Sequence, residues 1–295
     1  MNRYPLVDLA GIRSLKGLLA TMLLAISTTV GGGNGTHNGN TTFTAVSEMR
    51  VEDWSSPEEL ERVWKASIAV VPQTDGRYLE STIEQLGTAV IEDRKYPLIV
   101  LLHGCAGVAK ETYRRMKLFV DNGFATLTPV SFARKKYPRS CDVKSGAGGF
   151  YRGTVTLRQN DVGYVIRKAR ALSWVDERNV FLVGHSEGAI VAATFNDPGT
   201  PVNARVLESW TCRSGWSEYD GINAPKNEPV LALLAENDPW FRNPWSGGNC
   251  GRYVDESNRS KSIVLKQEGI RDQHELLEFK EVQHSVLDFL TLHRK

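Results

Sequence analysis

The chain has 295 residues, 41% of them hydrophobic and 24% charged, a composition that excludes a disordered chain and bounds it to one large domain or two small ones. Its 36 Lys and Arg against 34 Asp and Glu leave a net charge of +2, which excludes a nucleic-acid partner recruited by bulk charge. No stretch reaches the roughly 20 uninterrupted apolar residues of a spanning helix, excluding a multi-pass membrane protein, and the four cysteines form neither a disulfide scaffold nor a Cys-x-x-Cys motif.

Arg3, Arg13 and Lys16 precede an uncharged stretch from Gly17 to Val30. Basic residues before a short apolar run are the pattern of a secretory signal, with a small-x-small cleavage site at Ala25-Ile26-Ser27. The alternatives for residues 1–30 are an uncleaved signal anchor, giving an N-terminal membrane tether, or a tail outside the fold. The signal and the anchor both predict export to the periplasm or the exterior. Residues 31–47, rich in Gly, Asn and Thr, read as a flexible linker, with glycosylation sequons at Asn34 and Asn40 that matter only in a host that uses them. Residues 48–295 read as one domain.

From there strands and helices alternate. Glu58 to Lys65 predicts a helix started by Ser55-Ser56-Pro57. Ile68–Val71 and Thr88–Ile91 are candidate early strands. Leu98–Leu102 is a continuous apolar run of the kind found in buried parallel strands. Lys110 to Asp121 is amphipathic and ends at Asn122-Gly123. Strands are predicted over Phe124–Val130, Val180–Val183, Arg205–Glu208, Val230–Leu234 and Ile263–Lys266, and helices over Leu157–Leu172, Ala189–Phe195 and Leu276–Leu292. The alternation implies an α/β domain with a mostly parallel sheet covered on both faces.

Three places in that layout carry chemistry. Gly184-His185-Ser186-Glu187-Gly188 sits between an apolar strand and a small-residue helix, the strand–turn–helix context of a nucleophile elbow, whereas Gly-x-Ser-x-Gly alone is a weak pattern. The bland alternative is a serine capping the helix. His103-Gly104-Cys105-Ala106-Gly107 directly follows the strand ending at Leu102. An acyl-transfer serine needs two backbone donors for the developing oxyanion. The predicted pair is the Glu187 amide, next to the nucleophile, and the Cys105 amide, from this loop. His103 is expected to hold the loop. A serine also needs a base, and the base an orienting carboxylate. In the chain order Ser, acid, His, Asp238 follows the strand at Val230–Leu234, with Glu236 as backup, and His274 lies in the loop before the last helix. His284 and His293 fall within that helix and are expected to be surface or packing residues.

These residues make the chain resemble the α/β-hydrolases and, within them, the dienelactone hydrolase family. The carriers are the His103–Gly107 loop, the elbow at Ser186, Asp238 and His274. Arg158 and Asp161, the run Pro129-Val130-Ser131-Phe132 and Cys141 support them. The resemblance covers roughly residues 85 to 293. It departs in two positions: the family uses a cysteine nucleophile where this chain has Ser186, and an Asp where Val130 stands. It implies an α/β-hydrolase fold and cofactor-free, metal-free hydrolysis of acyl esters, with a small-molecule ester as the partner.

Loops at the carboxyl ends of the strands should line the site. Arg134, Lys135, Lys136 and Arg139 in one of them read either as a solvated face or as an attractor of anionic substrates. Trp210, Trp216, Trp240, Phe241 and Trp245 could wall an acyl pocket or pack in the core. The four cysteines fall on loops at one sheet edge. For an exported protein this suggests bridges, with Cys105–Cys141 and Cys212–Cys250 the favoured pairing and four buried thiols the alternative. The sequence reads as a serine esterase. A thioesterase or peptidase on the same triad, an acyltransferase and a non-catalytic protein of the same fold are the other readings.

Overall fold

The structure is a computed structural model that describes residues 43–87 and 94–295. The expected signal or anchor, most of the linker, both sequons and the candidate strand Thr88–Ile91 lie outside the described residues. The last residues of the expected linker pair with the body of the fold: Thr44 forms a β-bridge to Pro138, and its amide donates to the Tyr137 carbonyl at 2.9 Å.

Ten strands are described: β1 (Ile68–Pro72), β2 (Tyr78–Thr82), β3 (Tyr96–Leu102), β4 (Ala125–Thr128), β5 (Cys141–Asp142), β6 (Ala147–Gly148), β7 (Val175–His185), β8 (Arg205–Glu208), β9 (Val230–Ala235) and β10 (Lys261–Leu265). Eight of them form one sheet in the order β10-β9-β8-β7-β3-β4-β1-β2. The run from β10 to β4 is parallel, and β1 pairs antiparallel with both β4 and β2. Strands β3 and β9 are apolar throughout because both faces of the sheet are covered there. All seven residues of β3 are buried.

Side chains alternate between the two faces. Leu98, Val100 and Leu102 join Val180 and Leu182 in one cluster, while Ile99 and Leu101 join Phe181 and Val183 in the other. The first cluster is closed by α2 (Pro57–Ala66), α5 (Gly153–Ala169) and α6 (Glu187–Thr194), through residues such as Trp64, Val162 and Ala189. The second is closed by α4 (Lys110–Asp121) and α7 (Lys280–Leu292), through Phe119 and Val286. Two short helical turns, α1 (Glu52–Ser55) and α3 (Ile83–Leu86), complete the described helices.

Several predicted boundaries shift. The last helix is interrupted: Leu276–Glu278 is a 3-10 turn, and α7 begins only after Phe279, whose backbone is extended. Strand β7 starts five residues before its apolar run, at Val175, through a polar stretch that pairs only near Tyr96. The β5–β6 hairpin was not predicted, because two-residue strands leave no periodicity to read.

Both favoured disulfides are formed, Cys105–Cys141 and Cys212–Cys250, so no described cysteine is free. The first ties the loop after β3 to the β5–β6 hairpin. The second ties the loop after β8 to the long loop after β9.

Candidate active site

Strand β7 delivers Ser186 to the carboxyl edge of the sheet and α6 starts immediately after it. Ser186 has φ 56° and ψ −121°, a left-handed backbone that a side-chain-bearing residue adopts only when its surroundings force it. The flanking glycines are what allow the turn. A Cβ on Gly184 would lie 2.2 Å from the Gly188 carbonyl oxygen, and one on Gly188 would lie 2.4 Å from the Leu102 carbonyl oxygen. The elbow is thus wedged against the end of β3, and the loop after β3 lies alongside: a Cβ on Gly104 would sit 3.6 Å from the Ser186 Cβ. Neither the Cys105 nor the Glu187 amide is committed to another acceptor among the described residues.

Arg158 of α5 locks these two segments together. Its guanidinium donates to the His103 carbonyl at 2.5 Å and to Glu187 Oε1 at 2.9 Å, with 2% of the Arg158 side chain exposed. One buried cation therefore grips Glu187, one candidate oxyanion donor, and His103, two residues before the other. His103 Nδ1 donates to the Gly104 carbonyl at 2.7 Å, which fixes the neutral ring with its proton on Nδ1. Its part is to shape the loop, as the sequence suggested.

Asp238 follows β9 and is 3% exposed. His274, in the loop between β10 and α7, places Nδ1 2.9 and 2.8 Å from the two Asp238 carboxylate oxygens. A carboxylate only accepts, so Nδ1 carries a proton, and in the neutral ring Nε2 is the acceptor. Nε2 is buried and has no hydrogen-bond partner among the described residues; no hydrogen bond joins it to Ser186 Oγ. The His274 ring lies 4.9 Å from that of His185, the residue before Ser186, and Trp240 and Phe241 stand 5.5 and 6.1 Å away. Glu236, the alternative acid, faces outward and pairs with Arg271 at 3.0 Å. His284 is exposed on α7, and His293 caps its end through the Phe289 carbonyl.

A second tier of residues, which sequence reasoning missed, holds the His274 backbone. Ser209 Oγ donates to the His274 carbonyl at 2.5 Å, and His185 Nε2 lies 3.3 Å from the same oxygen. Ser209 is buried and also has a positive φ, 59°. Beneath it, Arg115 of α4 bonds both oxygens of Glu208, at 2.7 and 2.6 Å, and reaches Glu275 at 2.7 Å. Glu208 also accepts from the Leu277 amide at 2.9 Å. Ligand atoms of His185, Glu208 and Glu275 lie within 4.8 Å of one another, but the cation among them is the Arg115 guanidinium, so the group works as an ion-pair network. The readable signal is Glu208, a charged residue at the carboxyl end of a fully buried central strand.

Burial, reinforced by the Arg158 charge, lowers the pKa of His103 from 6.5 to about 3. Burial, with the Arg115 charge and His274, holds His185 well below 6.5. Both rings are neutral in the fold and take up a proton on unfolding once the pH drops below about 6.5. Their contribution is therefore intact above that pH and is lost as the pH falls from 6.5 toward 3. We expect urea-unfolding stability to decline over this window, and His103→Gln to decline less steeply than the parent chain. Parallel pH profiles would show that the His103 ring is not buried as described.

The cavity beside Ser186 has a volume of about 390 Å³, within the usual range for small-molecule sites. Cys105, Ser186 and Glu187 line it, and all five aromatic residues singled out in the sequence, Trp210, Trp216, Trp240, Phe241 and Trp245, are in its wall. The β5–β6 hairpin contributes residues 145–149 to the lining. The basic loop does not take part. Arg134 is buried in an ion pair with Asp161 at 2.5 Å, Lys136 pairs with Asp53 and Arg139 with Asp142. Only Arg134 is interior; Lys135, Lys136 and Arg139 are exposed and form a solvated face, and none of the four lines the cavity.

No protein-family model and no curated protein matches the sequence. Solved structures do. A provisionally assigned dienelactone hydrolase from Klebsiella pneumoniae is 15% identical, covers 77% of this chain and 99% of its own, and superposes with a TM-score of 0.50. A dienelactone hydrolase-like promiscuous phosphotriesterase from metagenomic libraries, also 15% identical, covers 77% and 99% with a TM-score of 0.49. An esterase of Pyrococcus furiosus, 14% identical, covers 81% and 95% at 0.45. With a mostly parallel eight-stranded sheet, helices on both faces and the Klebsiella superposition, the chain has the α/β-hydrolase fold.

Proposed function

We propose that the protein is a serine hydrolase of carboxylic esters, with Ser186 as nucleophile, His274 as base and Asp238 as the carboxylate that orients it. The observation that carries this reading is the His274 imidazole. Its proton is pinned on Nδ1 by Asp238, and its Nε2 lone pair is buried and unpartnered near the strained elbow that presents Ser186.

The chemistry follows from that arrangement. Ser186 Oγ attacks the acyl carbon as His274 Nε2 takes its proton. Negative charge develops on the carbonyl oxygen, where the Cys105 and Glu187 amides donate; losing one such donor costs roughly 10²–10³ in rate. His274 then protonates the departing alkoxide, leaving an acyl-Ser186. Water, deprotonated by the same imidazole, releases the acid and restores the serine. Asp238 stabilises the imidazolium formed in both halves. The site closes this cycle with side chains and amides alone.

Two disulfides support action in an oxidising compartment, consistent with an N-terminal segment that exports or tethers the domain of residues 48–295. The test is p-nitrophenyl acetate hydrolysis: activity is lost in Ser186→Ala and retained in His284→Ala. Unchanged turnover in Ser186→Ala would reject the proposal.

A further inference from the structure

The cavity wall contains features that the serine chemistry itself does not use. The arrangement is concave, arene-rich and charged at one place. Of its lining residues only Glu187 and Arg213 carry charge, and Glu187 is neutralised by Arg158 at 2.9 Å. Arg213 is different. Its Nη1 donates to the Gly247 carbonyl at 3.1 Å, and among the described residues no carboxylate pairs with it. The guanidinium has five N–H donors in a planar fork that matches a carboxylate, so most of its capacity is unspent.

Arg213 is also held in place. It follows Cys212, which is bridged to Cys250. Its carbonyl accepts from Thr211 Oγ1, and the next residue, Ser214, is fixed by Asp220 through its amide at 2.6 Å. The backbone of Gly248 approaches the Arg213 side chain closely: a Cβ there would lie 3.4 Å from Cδ. A second donor among the lining residues is without a partner among the described residues. Trp210 is fully buried, lines the cavity, and its indole N–H has no acceptor among the described residues. Buried donors in folded proteins normally have partners, and one that lacks a protein partner in a cavity wall is an expected contact for a ligand oxygen.

Resting on the esterase reading above, we propose that this site selects esters of aromatic acids whose ring carries a carboxylate. The ring packs among Trp216, Trp240 and Phe241, and the carboxylate is received by Arg213 with the Trp210 N–H as a further donor. The aromatic walls account for the ring: flat faces favour offset or edge-on arene contacts over flexible alkyl chains. The unpaired guanidinium accounts for the anion, since a charge-assisted bidentate contact in a partly desolvated cavity is stronger than a neutral one.

The experiment compares kcat/KM for monomethyl terephthalate, methyl benzoate and methyl hexanoate. The expected order is monomethyl terephthalate over methyl benzoate by about 10-fold, the lower end for a hydrogen bond to a charged group because Arg213 is only half-buried, with methyl hexanoate last. Arg213→Met should bring the first ratio to about 1 by removing the fork. Arg213→Lys keeps the charge without the fork and should retain part of the preference, which separates charge recognition from a loosened loop. Arg242→Met, an exposed arginine outside the cavity, should leave the ratio as it is. The proposal is overturned if the ring carboxylate gives no advantage, if the advantage survives Arg213→Met, or if Arg242→Met removes it equally. Ser186-dependent turnover of p-nitrophenyl acetate, run alongside, separates the two levels. Its presence with no carboxylate preference sinks the specificity alone, and its independence from Ser186 sinks the esterase reading beneath it.

Discussion

His274→Gln is expected to lower kcat for a p-nitrophenyl ester by about 10⁴-fold or more, and Asp238→Asn by about 10⁴-fold. The two effects have different physical origins. Glutamine at 274 leaves Ser186 with no group able to accept its proton, so the hydroxyl stays a poor nucleophile. Asparagine at 238 keeps the shape of the site but presents an amide where His274 needs an acceptor. The imidazole then loses its reason to hold the proton on Nδ1, a bond that now runs to both carboxylate oxygens at 2.9 and 2.8 Å, and no charge stabilises the imidazolium. The double variant should be little worse than His274→Gln, because the two residues act as one unit. Steady-state kinetics on the three proteins checks this. Additive losses, or a mild Asp238→Asn phenotype, would mean that the carboxylate does not serve His274.

The second large effect is on Arg158. Its guanidinium is the shared partner of the His103 carbonyl and the Glu187 carboxylate, with 2% of the Arg158 side chain and 11% of the Glu187 side chain exposed. Arg158→Met strands that carboxylate in a buried site and is expected to cost about 3–5 kcal/mol of stability, the usual penalty for breaking a buried pair from one side. The folded fraction should also turn over esters about 10²-fold more slowly, because the loop bearing the Cys105 amide is no longer tied to the elbow. Arg158→Lys should recover part of the stability but little of the rate: an ammonium is a point donor and cannot span both partners as the planar fork does. Urea unfolding and kcat on the same samples measure both. A variant that is as stable and as active as the parent would remove Arg158 from any role in aligning the two segments.

The parts of the architecture that show in the sequence are those set by local periodicity and by turn chemistry. β3 is legible because both faces of a central parallel strand are buried, so Leu98–Leu102 has no polar interruption. α4 is legible because its apolar stripe ends at Asn122-Gly123, where Gly123 takes a positive φ of 80°. The elbow is legible because only glycine fits against the Gly188 and Leu102 carbonyls. The disulfide pairing is legible because the loops at one sheet edge bring together cysteines far apart in sequence. What stays hidden depends on contacts between distant segments. Arg115 is one more basic residue on an amphipathic helix until the fold sets it against Glu208, 93 residues away. Arg134 reads as part of a charged surface run, yet Asp161 and the carbonyls of Asp53 and Trp54 make it an interior residue. Ser209 carries no local signal at all; its strained backbone exists because the loop after β8 must turn under the His274 carbonyl. The break at Phe279 is invisible for a related reason, since the apolar spacing continues across it while the chain bends to seat Leu276 and Leu277 against the sheet.

The most direct test of the account is covalent. Treat the protein with a fluorophosphonate probe, measure the intact mass and map the modified peptide. The account predicts one adduct per chain, on Ser186, formed rapidly in the parent protein, absent in Ser186→Ala and strongly slowed in His274→Gln. A protein that hydrolyses esters yet takes no label, or takes it on a residue other than Ser186, would contradict it.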